Sequence, residues 1–345
     1  MTDGFEQDFV ELVKMTDDLQ CRVTMLEKSN KLLMKSNRQL IQWIEELVKE
    51  NEDYKNNAVF ELNAENLMDE GYWYPDIRSG EEAINQIVNE RKSLARFGDG
   101  EFSIIAGRVR HSFQTIIDPI LQERLREVLT SNEEDLIVGL ADNYGSLEKY
   151  NEQTRREIRR YMNRTVRREH LCLLDRQKVY YDAYLSRPYV MYADNKTDEP
   201  GKRFQNLRRM WEHRDCVFVE GRYTRLGVGN DLFDNCASIK RIIGPAENSF
   251  LNYEEILRAC LELDKDCLFL LAMGSTATIL AYDLCRAGYQ ALDIGHLDLE
   301  YEWFLRGMGQ RTKVDGKYNN EFENGKTPDP IEDAEYLQQI VADCS

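Results

Sequence analysis

No two cysteines in this chain are spaced Cys-x-x-Cys, so neither a zinc knuckle nor a dithiol redox motif is signalled. The eight cysteines that are present include Cys216 in DCVFVEG and Cys267 in DCLFLLAM, apolar settings that suit reduced core thiols. Positive charge is short: 45 Lys and Arg against 62 Asp and Glu leave a net of −17. That is the wrong sign for a phosphate backbone, so no nucleic acid is expected as a partner, nor unaided docking on anionic lipid. Long apolar runs are missing too; CLFLLAM is far shorter than the ~20 residues of a membrane span. The opening MTDGFEQDFVEL is acidic where a secretory leader is basic. These absences together predict a cytoplasmic protein with no transmembrane segment.

What remains is ordinary for a globular protein: 42% hydrophobic and 10% aromatic over 345 residues, enough for one large or two modest domains. The first segment is different in kind. Leucines recur every seven residues at Leu12, Leu19, Leu26, Leu33, Leu40 and Leu47, with no proline among them. The companion heptad positions are Phe9, Thr16, Val23, Asn30, Asn37 and Ile44. Leucine at d with asparagine at two a positions predicts a parallel, in-register coiled coil, the asparagines bonding across the seam. Arg22 and Glu27 can pair between strands in the same register. A helix over about 7–54 is roughly 70 Å long at ~1.5 Å per residue, too long to lie on one globular domain. Residues 1–58 are therefore read as a leucine zipper that makes a homodimer.

After a linker and first helix over 59–90, short apolar runs alternate with amphipathic stretches as in repeated β-α units. Strands are expected at Leu94–Phe97, Leu136–Leu140, Val190–Ala193, Val217–Glu220, Ile239–Ile243, Leu268–Ala272 and Ala291–Ile294. Helices are expected at Glu81–Ser93, Pro119–Thr130, Tyr150–Arg168, Arg203–His213, Tyr253–Leu263 and Thr276–Ala287. Strands apolar on both faces suit an α/β sheet with helices on both sides, whose ligands sit at the strands' carboxyl ends. Arg156, Arg160, Arg164 and Arg168 form a basic stripe, read as a solvated face. Asp329–Ser345, within an acidic C-terminal segment 326–345, is a short helix or tail with no assigned role.

Three clusters follow apolar runs. In LARFGDGEF, Asp99 and Glu101 lie two apart, so an extended backbone turns both carboxylates toward one ion. Gly98 and Gly100 clear the backbone for a ligand, and Arg96 can meet phosphate. Hard oxygen ligands suit Mg²⁺ or Mn²⁺. In FLLAMGSTATILAYDL, Gly274 turns the chain and Ser275 and Thr276 open a helix whose N-terminus favours phosphate; it lacks the Gly-Lys-Ser/Thr of a P-loop. In ALDIGHLDLEYEWF, His296, Asp298 and Glu300 stand at the rim, where one of them can take a proton from a substrate hydroxyl. The loop RLGVGNDLF adds Arg225, Asn230 and Asp231 around two glycines.

In these stretches, together with FQTIIDPILQERLREVL, SRPYV and GPAENSF, the sequence resembles the GT-D fold glycosyltransferases, first catalogued as a conserved domain of unknown function. The resemblance runs from about Arg91 to Phe322, within a domain taken as 91–325. It implies a Rossmann-like sheet that binds a nucleoside-diphosphate sugar, of uridine in the first instance, and a divalent metal through Asp-x-Glu, here Asp99 and Glu101. By the same match Arg225–Asp231, Gly274–Thr276 and His296–Glu300 line the donor and acceptor pocket. The family builds glycans on bacterial adhesins or surface polysaccharides, so a glycan or glycoprotein acceptor is implied. One departure is MGST, where a proline is expected after the glycine. The expected chemistry is direct displacement at the anomeric carbon, with Asp298 as first choice of base. A nucleotide-sugar hydrolase and a nucleotide-binding scaffold are the competing readings.

Overall fold

The computed structural model describes residues 2–69, 73–108, 113–319 and 330–345, and in the first helix the side chains of 14–52 and 55. The chain divides into two compact units, Met1–Val59 and Phe60–Ser345. Helix α1, Thr2–Asp69, contains the whole heptad repeat. Leu19, Leu26, Leu33, Leu40 and Leu47 are all exposed along it, as are Val23 and Ile44. Leu12 and Phe9 fall outside the described side chains. Among the described residues no helix is long and apolar enough to cross a membrane.

Among the described residues the second unit holds nine strands: β1 Asp76–Arg78, β2 Ser93–Phe97, β3 Leu136–Leu140, β4 Val179–Asp182, β5 Asp215–Gly221, β6 Ser238–Gly244, β7 Leu268–Ala272, β8 Gln290–Asp293 and β9 Ile340–Asp343. They form one sheet in the order β1-β4-β3-β2-β8-β7-β5-β6-β9, and every pairing is parallel. The helices are α2 Gly80–Glu90, α3 Asp99–Ile105, α4 Pro119–Thr130, α5 Glu152–Tyr161, α6 Arg164–Leu173, α7 Glu199–Arg208, α8 Tyr253–Leu261, α9 Ser275–Arg286, α10 Leu297–Leu305 and α11 Ala334–Gln339.

Strand residues alternate between two cores, as the period of two demands. Val217, Val219, Phe269, Leu271 and Ala291 enter a core shared with α3, α4, α6, α8 and α9. Cys216, Phe218, Leu268, Leu270 and Leu292 enter a second core with α2, α7 and α10. Both faces are covered, which is why these strands read as continuous apolar runs. From β2 the chain passes leftward in that order to β3, whereas from β8 it returns to the far edge at β9. Their adjacent carboxyl ends therefore frame a crevice where the strand order reverses.

Several expectations are corrected. Val190–Ala193 is not a strand; apart from one bridge between Tyr150 and Tyr192 it is turn. Its amides are taken elsewhere: Tyr189 N and Val190 N both donate to the Glu300 carboxylate, at 3.1 and 2.9 Å. The expected helix Tyr150–Arg168 is two helices. Asn163 breaks it by capping α6, its side chain accepting from Thr165 N and Val166 N. The four stripe arginines are exposed on the two pieces. The C-terminal segment, given no role from sequence, supplies α11 and the edge strand β9.

That segment packs on a buried ion pair between β5 and β6. Arg241 Nη1 lies 2.6 Å from Glu220 Oε1, both side chains under 5% exposed. Arg241 also bonds Gln339 and lies over the Phe218 and Tyr336 rings. Burial pushes the Glu220 carboxyl up, and Arg241 opposes the shift. Arg241→Met leaves that carboxylate buried without its partner. We expect a loss of about 3–5 kcal/mol in urea unfolding, with Arg241→Met/Glu220→Gln recovering part of it.

Candidate active site

Because every strand is parallel, all carboxyl ends share one edge of the sheet. Six of them (β2, β3, β4, β5, β7 and β8) send residues into one cavity of about 520 Å³, within the usual range for small-ligand sites. All three sequence clusters reach it, though not every residue named in them does.

The Asp-x-Glu segment is helical, which corrects the extended backbone expected from sequence. Asp99 opens α3, and Glu101 folds back to accept from Gly98 N at 2.9 Å. Two positions on a helix are rotated roughly 200° apart, so the carboxylates do not share one direction, yet Gly98, Asp99, Gly100 and Glu101 all line the cavity. The other oxygen of Glu101 accepts from Ser275 Oγ at 2.7 Å, joining the starts of α3 and α9. Among the described residues no group of three or more His, Cys, Asp or Glu converges as a full cation site. Mg²⁺ and Mn²⁺ are commonly held by one or two carboxylates with phosphate and water completing the shell. Asp99 and Glu101 fit that partial mode and no other.

At the start of α9, Gly274 has φ +56 and a Cβ there would meet Phe113 Cβ at 3.1 Å, so the turn needs glycine. Gly274 and Ser275 line the cavity; Thr276 is buried and does not. Arg96 lines it as well, but its guanidinium is engaged. Nε and Nη2 bond Asp293 O and Oδ1 at 2.7 and 2.6 Å, and Nη1 bonds Ser186 Oγ at 2.7 Å.

His296 and Asp298 line the cavity and Glu300 does not. Asp298 is 2% exposed. Its Oδ1 accepts from Gly227 N and Asn230 Nδ2 at 3.0 and 2.8 Å, and its Oδ2 from Lys317 Nζ at 2.6 Å. Both of its oxygens are thus engaged, one of them by a cation. Glu300 is fully buried under the Tyr189–Val190 amides; burial raises its carboxyl, with Arg187 opposing. In the RLGVGNDLF loop Leu226 lines the cavity, as does Thr224 just before it. Arg225 instead turns to Gly316 O at 2.7 Å, Asn230 spans Asp298 and Glu302, and Asp231 bonds the Tyr301 hydroxyl. The structure thus does not bring Arg225, Asn230, Asp231, Thr276 or Glu300 to the cavity wall.

Sequence reasoning missed Tyr161, Tyr184, Asn143, Arg187 and Lys317. Tyr161 and Tyr184 line the cavity; burial first, then the negative charge of Asp99, raises both phenols. Tyr161 Oη bonds His170 Nε2 at 3.1 Å, whose Nδ1 meets Tyr144 Oη at 2.8 Å. The His170 ring stacks on Phe102 of α3 at 3.6 Å. Only SRPYV, which carries Arg187, left a signal in the sequence.

A family model described as "Glycosyltransferase GT-D fold" matches residues 94–322. The "Probable glycosyl transferase Gly" of Streptococcus gordonii is 37% identical over 267 residues, 77% of this chain and 38% of that protein. "Glycosyltransferase GlyD" of Streptococcus pneumoniae is 35% identical over 272 residues, 77% of this chain and 32% of that protein. The chain thus spans about a third of the length of these curated relatives. A solved structure described as "A New Glycosyltransferase (DUF1792) from Streptococcus sanguinis" superposes with TM-score 0.71 at 35% identity, covering 78% of this chain and 100% of that one.

Two predictions follow from the packing beneath the cavity. Burial holds the His170 imidazole down at about 3 from an ordinary 6.5. The unfolded chain then binds the proton first, so this contribution is complete above pH ~6.5 and is lost as pH falls toward ~3, by up to ~1.4 kcal/mol per unit. Urea midpoints measured across that window should fall with pH, and His170→Gln should flatten the slope. Gly295, at φ +47, would place a Cβ 2.0 Å from Arg96 Nη2. Gly295→Ala should cost about 1–3 kcal/mol in the same assay.

Proposed function

The chain belongs to the GT-D fold glycosyltransferases, and from that premise we propose that it moves a sugar from a nucleoside-diphosphate sugar, of uridine in the first instance, to a glycan or glycoprotein acceptor. The observation that carries this reading is the meeting of Asp99, Glu101 and the Gly274–Ser275 helix start on one cavity at the reversal of strand order. Asp99 and Glu101 are proposed to hold a divalent cation, Mn²⁺ or Mg²⁺, which when bound neutralises charge on the departing diphosphate. The first amides of α9 and its dipole are suited to share that charge. Gly98 and Gly100 leave room for the ligand beside the backbone. Arg96, committed to Asp293 and Ser186, serves the site by holding its floor.

Direct displacement at the anomeric carbon needs an acceptor hydroxyl on the far side of the sugar from the diphosphate. Asp298 organises the wall there, holding Gly227, Asn230 and Lys317 together, and is the proposed acceptor of the hydroxyl's proton. Two further parts belong to the same proposal. The exposed leucine face of α1, with Asn30 and Asn37 in its seam, is read as the dimer contact of two copies. Eight unpaired cysteines support a reducing, cytoplasmic setting.

The test is turnover of a panel of nucleotide sugars with Mn²⁺, with Mg²⁺ and with chelator. One donor should be turned over in a metal-dependent way, and Asp99→Ala and Glu101→Ala should each lower the rate about 100-fold or more. Free sugar released regardless of acceptor would favour the hydrolase; silence with every donor would favour the scaffold. For the zipper, Leu33→Asp/Leu40→Asp should halve the mass found by light scattering. An unchanged mass would remove α1 from dimerisation.

A further inference from the structure

Asn143 carries an acceptor that the protein leaves unused. It lies in the loop after β3, is 4% exposed and forms part of the cavity wall. Its main chain is fixed by a bond from Asn143 N to Ala141 O at 2.9 Å. Burial and then the charge of Asp99 raise the Tyr184 phenol, while a hydrogen bond from the Asn143 amide lowers it. A bond that favours the phenolate is one donated to its oxygen, so Nδ2 is the end turned to Tyr184. Among the described residues the other end, Oδ1, has no hydrogen-bond donor. A buried acceptor without a partner costs stability, and native folds keep few of them. One kept in the wall of a ligand cavity points to a donor on the ligand.

The surroundings of the amide say which ligand. Tyr184 opens the 3₁₀ turn Ala183–Ser186 after β4, its N–H held by Asp182 Oδ1 at 2.9 Å. Tyr150 packs edge-on against its ring, at 5.8 Å between centroids. Burial, Asp99, Glu101 and Tyr184 raise the Tyr161 phenol in that order, so Tyr161 stands near both Tyr184 and the Asp-x-Glu helix. Ile158, one turn before it on α5, and Met191 line the cavity as well. A sugar carries hydroxyls all round its ring and needs polar partners on every side. A pyrimidine is flat, with apolar faces and a polar edge, and suits aromatic and aliphatic walls with one amide among them. In uracil the edge nitrogen N3 carries a proton; in cytosine it carries a lone pair.

We propose that Asn143 reads the nucleobase of the donor, its Oδ1 accepting the N3–H of uracil while Tyr184 holds the amide in that orientation. The proposal rests on the nucleotide-sugar reading above and adds to it the residue that selects the base. A diphosphate held at Asp99 carries its nucleoside on one side and its sugar on the other, and the amide serves the nucleoside side. Cytosine turns a lone pair toward the same oxygen and is repelled. Leaving a buried polar group unpaired with the wrong ligand is the strongest form of discrimination open to such a site.

The test is calorimetry on the full chain with Mn²⁺ and, in turn, UDP, N3-methyl-UDP and CDP. Wild type should bind UDP, with N3-methyl-UDP and CDP each weaker by about 10-fold or more. The methylated ligand blocks one N–H and leaves the protein untouched, so this arm decides even where a variant misfolds. Asn143→Ala removes the acceptor and makes room for the methyl group. In it UDP and N3-methyl-UDP should bind within about 3-fold of each other. Asn143→Leu should lose the preference for UDP over CDP. A purely structural Asn143 would weaken all three ligands alike and keep their wild-type ratios, which overturns the inference. Wild type that binds N3-methyl-UDP or CDP as tightly as UDP overturns it too, and leaves the nucleotide-sugar reading standing. Failure of the wild type to bind any of the three sinks that reading as well.

Discussion

The bond set around Asp293 is the constraint on which the rest of the site depends. Asp293 ends β8 under 4% exposed, and burial pushes its carboxyl up while Arg96 pulls it down. Arg96 reaches it from β2, and Thr278 of α9 bonds both Arg96 O and Asp293 Oδ2. Gly295 N closes the turn on Oδ1 at 3.1 Å. Two strands and a helix are thereby locked at the crevice where the strand order reverses. Satisfying every partner of a buried charge is what makes such a pair tolerable, and here the partners also aim three loops at one point. The Asp-x-Glu helix leaves β2, the His296 turn leaves β8, and α9 begins above them.

The same logic recurs further out. Acidic side chains at this edge also organise structure: Glu300 holds a loop, and Asp298 gathers Gly227, Asn230 and Lys317. Each fixes backbone that a ligand must later meet, which is how a site of this kind is pre-organised.

Much of the fold was legible because its signals are local. A strand buried on both faces must be apolar throughout, so Leu136–Leu140 and Leu268–Ala272 were read to their ends. Pro119 after Asp118 announced α4 in the same way. What escaped depends on distant partners. Val190 looks like a strand until Glu300, over a hundred residues on, takes its amide. Asp99 and Glu101 look extended because the glycines hide a helix start that Glu101 itself caps. The residue types of the three clusters marked the right edge of the sheet, but not which members face the cavity. Arg225 and Asp231 are as polar as Arg96, and nothing in the sequence says that they turn to Gly316 and Tyr301. Tyr161 reaches the site from the end of α5 and Lys317 reaches Asp298 from beyond α10, with no motif of their own.

The most direct test of the account is a crystal structure of the full chain with a nucleoside diphosphate and Mn²⁺, the ion placed by its anomalous scattering. The account predicts the ion against Asp99 and Glu101, with the diphosphate running to the Gly274–Ser275 start of α9. An ion bound without those two carboxylates, or a diphosphate seated away from α9, would contradict it.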